Sequence, residues 1–252
     1  MRLLFALTLL LPAQVALAAS AADLYRDGRF AEAAIAGRQE ATAASLVISG
    51  KSTLTIAGFE VTDKARARAM IDQADHDFDA ALAKAPNSID AQLQKATAIG
   101  YKAKLTKSPG LAKDTRERFE AVIARDPNNA LAWASMAGWH AGAVSTLGRF
   151  VAGAVLGATS KVAFADFETA MAKDPRSPVH PAFYALTLLD LGTENAPRAT
   201  ELLRLASRLQ GRDAYENLLR RGATQVLVPL MADDLKGAQT LARRLLPFGK
   251  LS

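Results

Sequence analysis

The stretch ADHDFDAALAKAP at residues 74–86 recurs twice in this 252-residue chain, as TRERFEAVIARDP at 115–127 and AFADFETAMAKDP at 163–175. Positions one, five and eight of each copy lie on one helix face, so a Phe sits between two smaller side chains that admit a neighbouring helix. The closing proline ends the helix, because it lacks an N–H and disfavours helical geometry in the residue before it. The pattern therefore predicts a repeated, packed helix.

Two partial copies, at residues 28–33 and 199–211, flank the three full ones. Residues 28–33 match only the turn before such a helix and its start, so that Ala33 takes position one of the pattern. Position one of the five copies then falls at residues 33, 74, 115, 163 and 199, and this unequal spacing predicts an irregular array. The predicted repeat core consists of Ala74, Phe78, Ala81, Phe119, Val122, Trp133, Ala163, Phe167 and Ala170.

This frame resembles the second helix of the tetratricopeptide repeat family, which carries A-x3-F-x2-A-x4-P. The resemblance covers roughly residues 20–211, and the Asp-Pro pairs at 126–127 and 174–175 match the turn between repeats of that family. Trp133 falls where the family often has a first-helix Trp. The resemblance implies an all-α fold, an irregular array of helical hairpins stacked into a right-handed superhelix.

A second resemblance concerns Trp139-His140, the Gly-containing apolar stretch 141–158, and Phe164 and Phe167 of the next helix. Together these resemble bacterial relatives of the regulator of microtubule dynamics family, and they imply a tetratricopeptide-like fold only. From the residues, the stretch 141–158 is interpreted as a packed insertion. The alternative is a small-residue wall that lines a pocket for a lipid-like ligand.

Composition excludes several classes of protein. Alanine, the strongest helix former, supplies 53 residues, and half of the chain is hydrophobic, which argues against disorder. Cysteine is absent, so disulfides, zinc–thiolate sites and thiol catalysis are excluded, as is a lipid-modified cysteine anchor. Neither a metal nor a cofactor is expected.

The first residues predict an export signal. Arg2 gives a positive start, residues 3–11 are apolar, and residues 16–18 form a small-x-small cleavage site. The run is too short to cross a hydrocarbon core of about 30 Å. We therefore expect residues 1–18 to be removed before Ala19 and the mature protein to be periplasmic.

The mature chain is predicted to be one domain. Residues 19–211 form the repeat array, and residues 212–252 form helices of the same domain that cap its open end. Residues 48–61 are ambiguous between a loop and a poor helix, since they combine β-branched residues with glycine. The predicted helices lie near 21–27, 30–46, 62–84, 88–105, 111–125, 129–147, 160–173, 178–192, 196–210, 213–228 and 233–246.

The histidines do not form a recognisable catalytic or metal motif. His76 lies between two aspartates, but adjacent helix residues point about 100° apart and cannot converge on one ion. His140 is expected to be packed and hydrogen-bonded. His180, between two prolines, is expected to help cap a helix. No catalytic residue and no enzyme activity are predicted.

The C-terminal part is basic, with ten Lys or Arg and five Asp or Glu from residue 196 onward. Arg204, Arg208 and Arg212 follow each other at intervals of four, which predicts a basic stripe. A solvated helix face is one interpretation, and a weak contact with an anionic membrane surface is the other. Nucleic acid is not expected, because aromatic residues for base stacking are few.

The leading functional hypothesis is an exported, non-enzymatic scaffold or adaptor that binds a protein or peptide of unknown identity in its concave groove. The alternative is a periplasmic binding protein for an apolar small molecule, with residues 141–158 closing over the ligand. The predicted groove residues are Leu131, Ala134, Gly138, Ala141 and Tyr184.

Overall fold

The computed structural model describes residues 19–251, so the predicted signal peptide lies outside the described residues. The described chain is all-α and contains no strand. Its helices are α1 (Ala21–Arg26), α2 (Phe30–Glu40), α3 (Ala43–Phe59), α4 (Lys64–Lys84), α5 (Ile89–Thr106), α6 (Pro109–Arg125), α7 (Ala130–Leu147), α8 (Arg149–Leu156), α9 (Ser160–Lys173), α10 (Val179–Leu191), α11 (Ala196–Arg208), α12 (Ala214–Thr224), α13 (Leu227–Met231) and α14 (Leu235–Leu245).

The three full sequence copies adopt the same local structure, as helices α4, α6 and α9. In each case the residue that follows the helix and precedes the proline is the C-cap. These C-caps are Ala85, Asp126 and Asp174, with φ of −139°, −137° and −134° and ψ of 77°, 81° and 78°. These angles lie outside the helical region, as expected for residues that precede proline. The proline thus sets both the end of each helix and the direction in which the chain leaves it.

The helices form an inner and an outer layer. The inner helices α3, α5, α7, α10 and α12 each contact the next, and the outer helices α4, α6, α9 and α11 lie between them along the chain. The short helix α1 contacts both α3 and α12, so the inner layer closes into a ring. Helix α2 packs on α3 from outside, and α14 packs on α10.

The ambiguous segment 48–61 is helical as far as Phe59, as the second half of α3. Residues 30–46, predicted as one helix, divide at Ala41, which ends α2 with φ of 50°. Helix α3 then begins at Ala43 and is capped by Thr42. Helix α3 is buried on nearly all sides. Some of its hydroxyl groups donate within the helix, as Thr55 Oγ1 does to Lys51 O at 2.9 Å, whereas Ser49 Oγ donates to Ala34 O of α2 at 2.8 Å. A helix buried all round has no amphipathic period, which is why the sequence pattern did not indicate it.

The segment after α14 contributes to the ring. The Phe248 backbone N–H donates to Gly58 O of α3 at 2.7 Å, and the Phe248 ring lies edge-on to Tyr101 of α5 with centroids 4.8 Å apart. The Lys104 Nζ donates to Pro247 O at 3.1 Å. The sequence predicts that residues 212–252 cap an open end; in the structure α12 contacts α1, and Phe248 contacts Gly58 of α3.

Candidate functional site

The ring of inner helices encloses a cavity of about 950 Å³. Helices α3, α5, α7, α10 and α12 all contribute to its wall, and α1 contributes Tyr25. The concave surface that the repeat pattern predicts is therefore the inside of a closed ring. Its volume lies at the upper end of the range of about 300–1,000 Å³ typical of small-molecule pockets.

One wall of the cavity is made of small residues on α7. Leu131, Ala134, Gly138 and Ala141, four of the predicted groove residues, all line the cavity. Gly138 lies against Phe183 of α10, whose ring atom Cε1 is 3.0 Å from the position a Cβ would take. The small side chains on α7 therefore leave space that the opposite helix partly fills with an aromatic ring.

Tyr184, the fifth predicted groove residue, does not line the cavity and belongs to the core. Its ring stacks on Phe167 of α9 with centroids 4.9 Å apart, and Phe164 lies beside it. It follows Phe183 directly, and adjacent helix residues point about 100° apart, so only one of the two faces the ring interior. Burial raises the pKa of Tyr184.

In the predicted repeat core, Trp133 differs from the other eight residues. Trp133 is half-buried, and its Nε1 donates to Pro127 O at 3.0 Å, which ties the start of α7 to the preceding turn. The other members are buried between inner and outer helices: Ala74, Phe78, Ala81, Phe119, Val122, Ala163, Phe167 and Ala170.

Three tyrosines that the sequence did not indicate contribute polar groups to the cavity wall. Tyr25, Tyr101 and Tyr215 all line the cavity, and they come from α1, α5 and α12. Burial raises the pKa of each phenol, so all three stay protonated. They lie far apart in sequence, and only the ring closure brings them to one wall, so no local motif could have indicated them.

Contacts between successive turns show that the inner helices start on the same side of the ring. Lys173 Nζ, at the end of α9, donates to Asn128 Oδ1 before α7 at 2.7 Å. Arg212, before α12, pairs with Asp174 before α10 at 2.8 Å. We call the residues on this side that line the cavity the N-terminal rim: Asn128, Asn129, Lys173, Asp174, His180, Arg212, Asp213 and Glu216.

His180, the second residue of α10, is 3% exposed and lines the cavity at the N-terminal rim. Its Nδ1 is buried and has no hydrogen-bond partner among the described residues. Burial lowers the pKa of His180, so its imidazole is neutral at neutral pH. The expected capping role of His180 is not observed: at the start of α10 the Val179 N–H donates to Ser177 Oγ at 3.3 Å.

His140, by contrast, has a partner. Its Nδ1 accepts a hydrogen bond from the Thr159 backbone N–H at 3.3 Å, and the Trp139 ring lies edge-on to it. Burial and the nearby Arg116 lower its pKa to about 4. The structure thus gives His140 a packing contact between α7 and the start of α9.

The stretch 141–158 is the end of α7 followed by α8. Its first half lines the cavity, whereas Phe150 and Val151 on α8 face outward, with Phe150 77% exposed. Within residues 19–251 no single helix is long and apolar enough to span a membrane; α8 and α9 qualify only as a pair, and this pair is bent by 78°.

The predicted basic stripe is wrong as a single helix face. Arg204 and Arg208 are exposed on α11, but the helix ends at Arg208. Arg212 lies in the following turn and binds Glu216 at 2.6 Å as well as Asp174. A spacing of four residues gives a stripe only while the helix continues, and here it does not.

The aspartates on either side of His76 turn to different partners. Asp75 pairs with Lys95 of α5 at 2.8 Å, and Asp77 pairs with Arg38 of α2 at 2.9 Å. Among residues 19–251, no three His, Asp or Glu side chains converge as a metal site would require.

Comparison of the chain with protein-family models and with curated proteins gives no match. The geometry of the cavity therefore carries the functional argument.

Proposed function

We propose that this protein binds an apolar or amphipathic small molecule inside the ring of inner helices, without catalysing a reaction on it. The observation that supports this most strongly is the closure of the ring. An open array offers a groove to a peptide, whereas a closed ring surrounds a molecule of limited size.

The wall of the cavity fits such a ligand. Leu54, Phe183 and Leu219 supply apolar surface from three helices, and Gly142 of α7 leaves open space. Polar groups also line the cavity, among them the Tyr101 and Tyr215 phenols and the charged side chains of Lys51 and Lys104. Small-molecule sites typically combine apolar surface with polar groups that fix the orientation of the ligand.

A cavity-filling variant tests this proposal. Gly142 lines the cavity, and a Cβ built on it meets no atom within 4 Å, so a Trp there occupies the cavity without a clash at its base. We expect Gly142→Trp to abolish binding of an uncharged apolar dye such as Nile red, measured by the rise in dye fluorescence.

Gly153→Trp is the matched control, because Gly153 also lies in a helix with no atom nearer than 4.0 Å but does not line the cavity. It should bind the dye as the unmodified protein does. Equal binding by both variants would place the dye outside the ring and contradict the proposal.

The scaffold hypothesis is a second proposal, supported by the apolar outer face of α8. Phe150, Val151 and Val155 are all exposed there, and exposed apolar patches commonly mark interaction sites. The predicted groove residues give it less support, because four of them line the inside of the ring. A partner protein that co-purifies with the unmodified chain but not with a folded, dye-binding Phe150→Asp variant would favour it.

We also propose that the mature protein is periplasmic and begins at Ala19. This cleavage site leaves intact the first described contacts, in which Ser20 caps α1 and the Ala21 N–H donates to Glu40 at 2.6 Å. N-terminal sequencing of the protein from a periplasmic extract tests this; retention of Met1 would contradict it.

A further inference from the structure

One face of α5 presents a lysine and a tyrosine to the inside of the ring. Tyr101 and Lys104 are three residues apart, so they lie on the same side of the helix, and both line the cavity. Lys104 Nζ donates to Pro247 O at 3.1 Å. Tyr101 Oη and Pro247 Cβ each lie 3.8 Å from the position that a Cβ on Gly58 would take. The ammonium group and the phenol are therefore both close to Pro247.

The Lys104 ammonium group has no anionic partner among the described residues. Its contacts are the Pro247 carbonyl oxygen and the Phe248 ring, whose centroid is 5.9 Å away. The Asp190 carboxylate acts on the pKa of Lys104, but Asp190 itself pairs with Arg243 at 2.8 Å. An ammonium group has three N–H donors, so two of them remain available to a ligand.

Lys104 is accessible although protein atoms surround it. The residue is exposed, and yet burial lowers its pKa. Both observations fit a side chain that projects into the interior of a ring. A charged group in such surroundings has lost part of its hydration, so it gains more from an ion pair than a lysine on the outer surface does.

The Tyr101 hydroxyl is also open to a ligand. It has no hydrogen-bond partner among residues 19–251, but unlike His180 Nδ1 it keeps accessible surface. Burial raises the pKa of Tyr101, so the phenol stays protonated and can donate a hydrogen bond. An ammonium group and a phenol donor together match a carboxylate, whose two oxygens only accept.

The charges of the cavity wall favour an anion beside Lys104 over an anion at the N-terminal rim. Lys107, three residues after Lys104, also lines the cavity and forms no ion pair in the described part of the chain. At the N-terminal rim, by contrast, carboxylates outnumber cations. The charged residues there are Asp174, Asp213, Glu216, Lys173 and Arg212.

We propose that Lys104 and Tyr101 form an anion site in the cavity wall, and that the ligand is an amphiphile with a carboxylate head group, such as a long-chain fatty acid. The small-residue wall of α7 and the Phe183 ring are available to its apolar chain. This inference rests on the proposed function, since it assigns the head group of the same ligand.

Three amphiphiles with the same chain length, laurate, dodecanol and dodecylamine, test the head-group preference. Each is titrated, below the concentration at which it forms micelles, into residues 19–252 loaded with Nile red, and the loss of dye fluorescence is measured. We expect laurate to displace the dye at an about tenfold lower concentration than dodecanol or dodecylamine, because only laurate gains charge-assisted hydrogen bonds at this site.

Variants test the two residues. Lys104→Gln should weaken laurate binding about tenfold, and Lys104→Arg should restore it to within about threefold. Dodecanol binding should stay within about threefold in Lys104→Gln, which shows that the cavity is intact. Tyr101→Phe should weaken laurate binding about threefold to tenfold, the value of one hydrogen bond. Lys173→Gln is the matched control, because it removes a cavity-lining lysine at the N-terminal rim and should leave laurate binding unchanged.

The outcomes separate the two proposals. Tighter binding of dodecanol or dodecylamine than of laurate would overturn the anion site and leave the ligand-binding function standing. Laurate binding that Lys104→Gln does not change, or that Lys173→Gln weakens instead, would do the same. Failure of Nile red and of all three amphiphiles to bind the unmodified protein would overturn both.

Discussion

His180 and His140 are both buried histidines, but they differ in their hydrogen bonds. His140 accepts from the Thr159 N–H, whereas Nδ1 of His180 has no partner. Sequence context alone suggested structural roles for both. The difference depends on which atoms approach each ring in three dimensions, and no residue near either histidine in the sequence encodes it.

Leucine substitutions at the two histidines should therefore change stability in opposite directions. Without ligand at neutral pH, we expect His180→Leu to raise the free energy of unfolding by about 1 kcal/mol, because it removes an unpaired buried polar atom. His140→Leu should lower it by about 1–3 kcal/mol, because the Thr159 N–H loses its acceptor. Urea unfolding monitored by circular dichroism measures both, and a destabilised His180→Leu would assign that ring a packing role.

His140 also makes a specific prediction about acid. Its pKa in the folded protein is about 4, below the ordinary 6.5, so the unfolded chain binds a proton first as the pH falls. The neutral His140 contributes its full stabilisation above about pH 6.5. This stabilisation is lost progressively as the pH falls to about 4, and the loss is about 2 kcal/mol near pH 5. Asp166, whose pKa burial raises to about 6, acts in the opposite direction over part of this range.

The effect of His140 is isolated by comparing variants across the same range. The free energy of unfolding of His140→Gln should fall by about 2 kcal/mol less than that of the unmodified protein between about pH 7 and pH 5. His76→Gln is the matched control, because His76 is exposed on α4. Parallel pH profiles for His140→Gln and the unmodified protein would contradict the assignment.

At the scale of helices, the sequence predicts the outer layer better than the inner one. Helices α4, α6 and α9 carry one apolar face and a terminal proline, so both their position and their end could be derived. Helix α3 is buried all round and has almost no apolar periodicity, so the same rules left it ambiguous. The tetratricopeptide assignment stays a prediction, although the three copies share one geometry at their ends.

Two helical glycines make the packing of these layers testable. A Cβ on Gly50 of α3 would lie 2.3 Å from the Phe78 ring, whereas a Cβ on Gly142 of α7 meets open space. We expect Gly50→Ala to lower the free energy of unfolding by about 1–3 kcal/mol, because the ring is fully buried. Gly142→Ala should raise it by up to about 1 kcal/mol through helix propensity. Thermal unfolding of the pair measures this, and equal effects would contradict the close approach of α3 and α4.

For the whole molecule, the decisive feature is the contact between its two ends. The Phe248–Gly58 hydrogen bond and the contact of α1 with α12 close the ring. The sequence predicts a stacked array but not whether it closes, because closure depends on small rotations that accumulate over many helix pairs. Ring closure also brings Tyr25, Tyr101 and Tyr215 to one cavity, and local sequence patterns could not predict this.

Phe248→Ala tests the closure. We expect a loss of about 2–4 kcal/mol in the free energy of unfolding, since a buried ring is truncated. Hydrogen exchange should accelerate in α1 and α12 as well as in α3 and α5, because all four lie beside the closure. Met231→Ala, at a residue that is 76% exposed, is the control. If hydrogen exchange became faster only in the residues after α14, Phe248 would not hold the ring closed, and the proposed closure would be contradicted.

Native mass spectrometry of residues 19–252, gently isolated from the cells that produce the protein, is the sharpest test of a ligand inside the ring. We expect a bound species of a few hundred daltons on the unmodified protein and on Gly153→Trp, and its loss from Gly142→Trp, whose side chain fills the cavity. A bare chain in all three preparations, or an added mass of protein size that survives in Gly142→Trp, would contradict the proposal that the ring encloses a ligand.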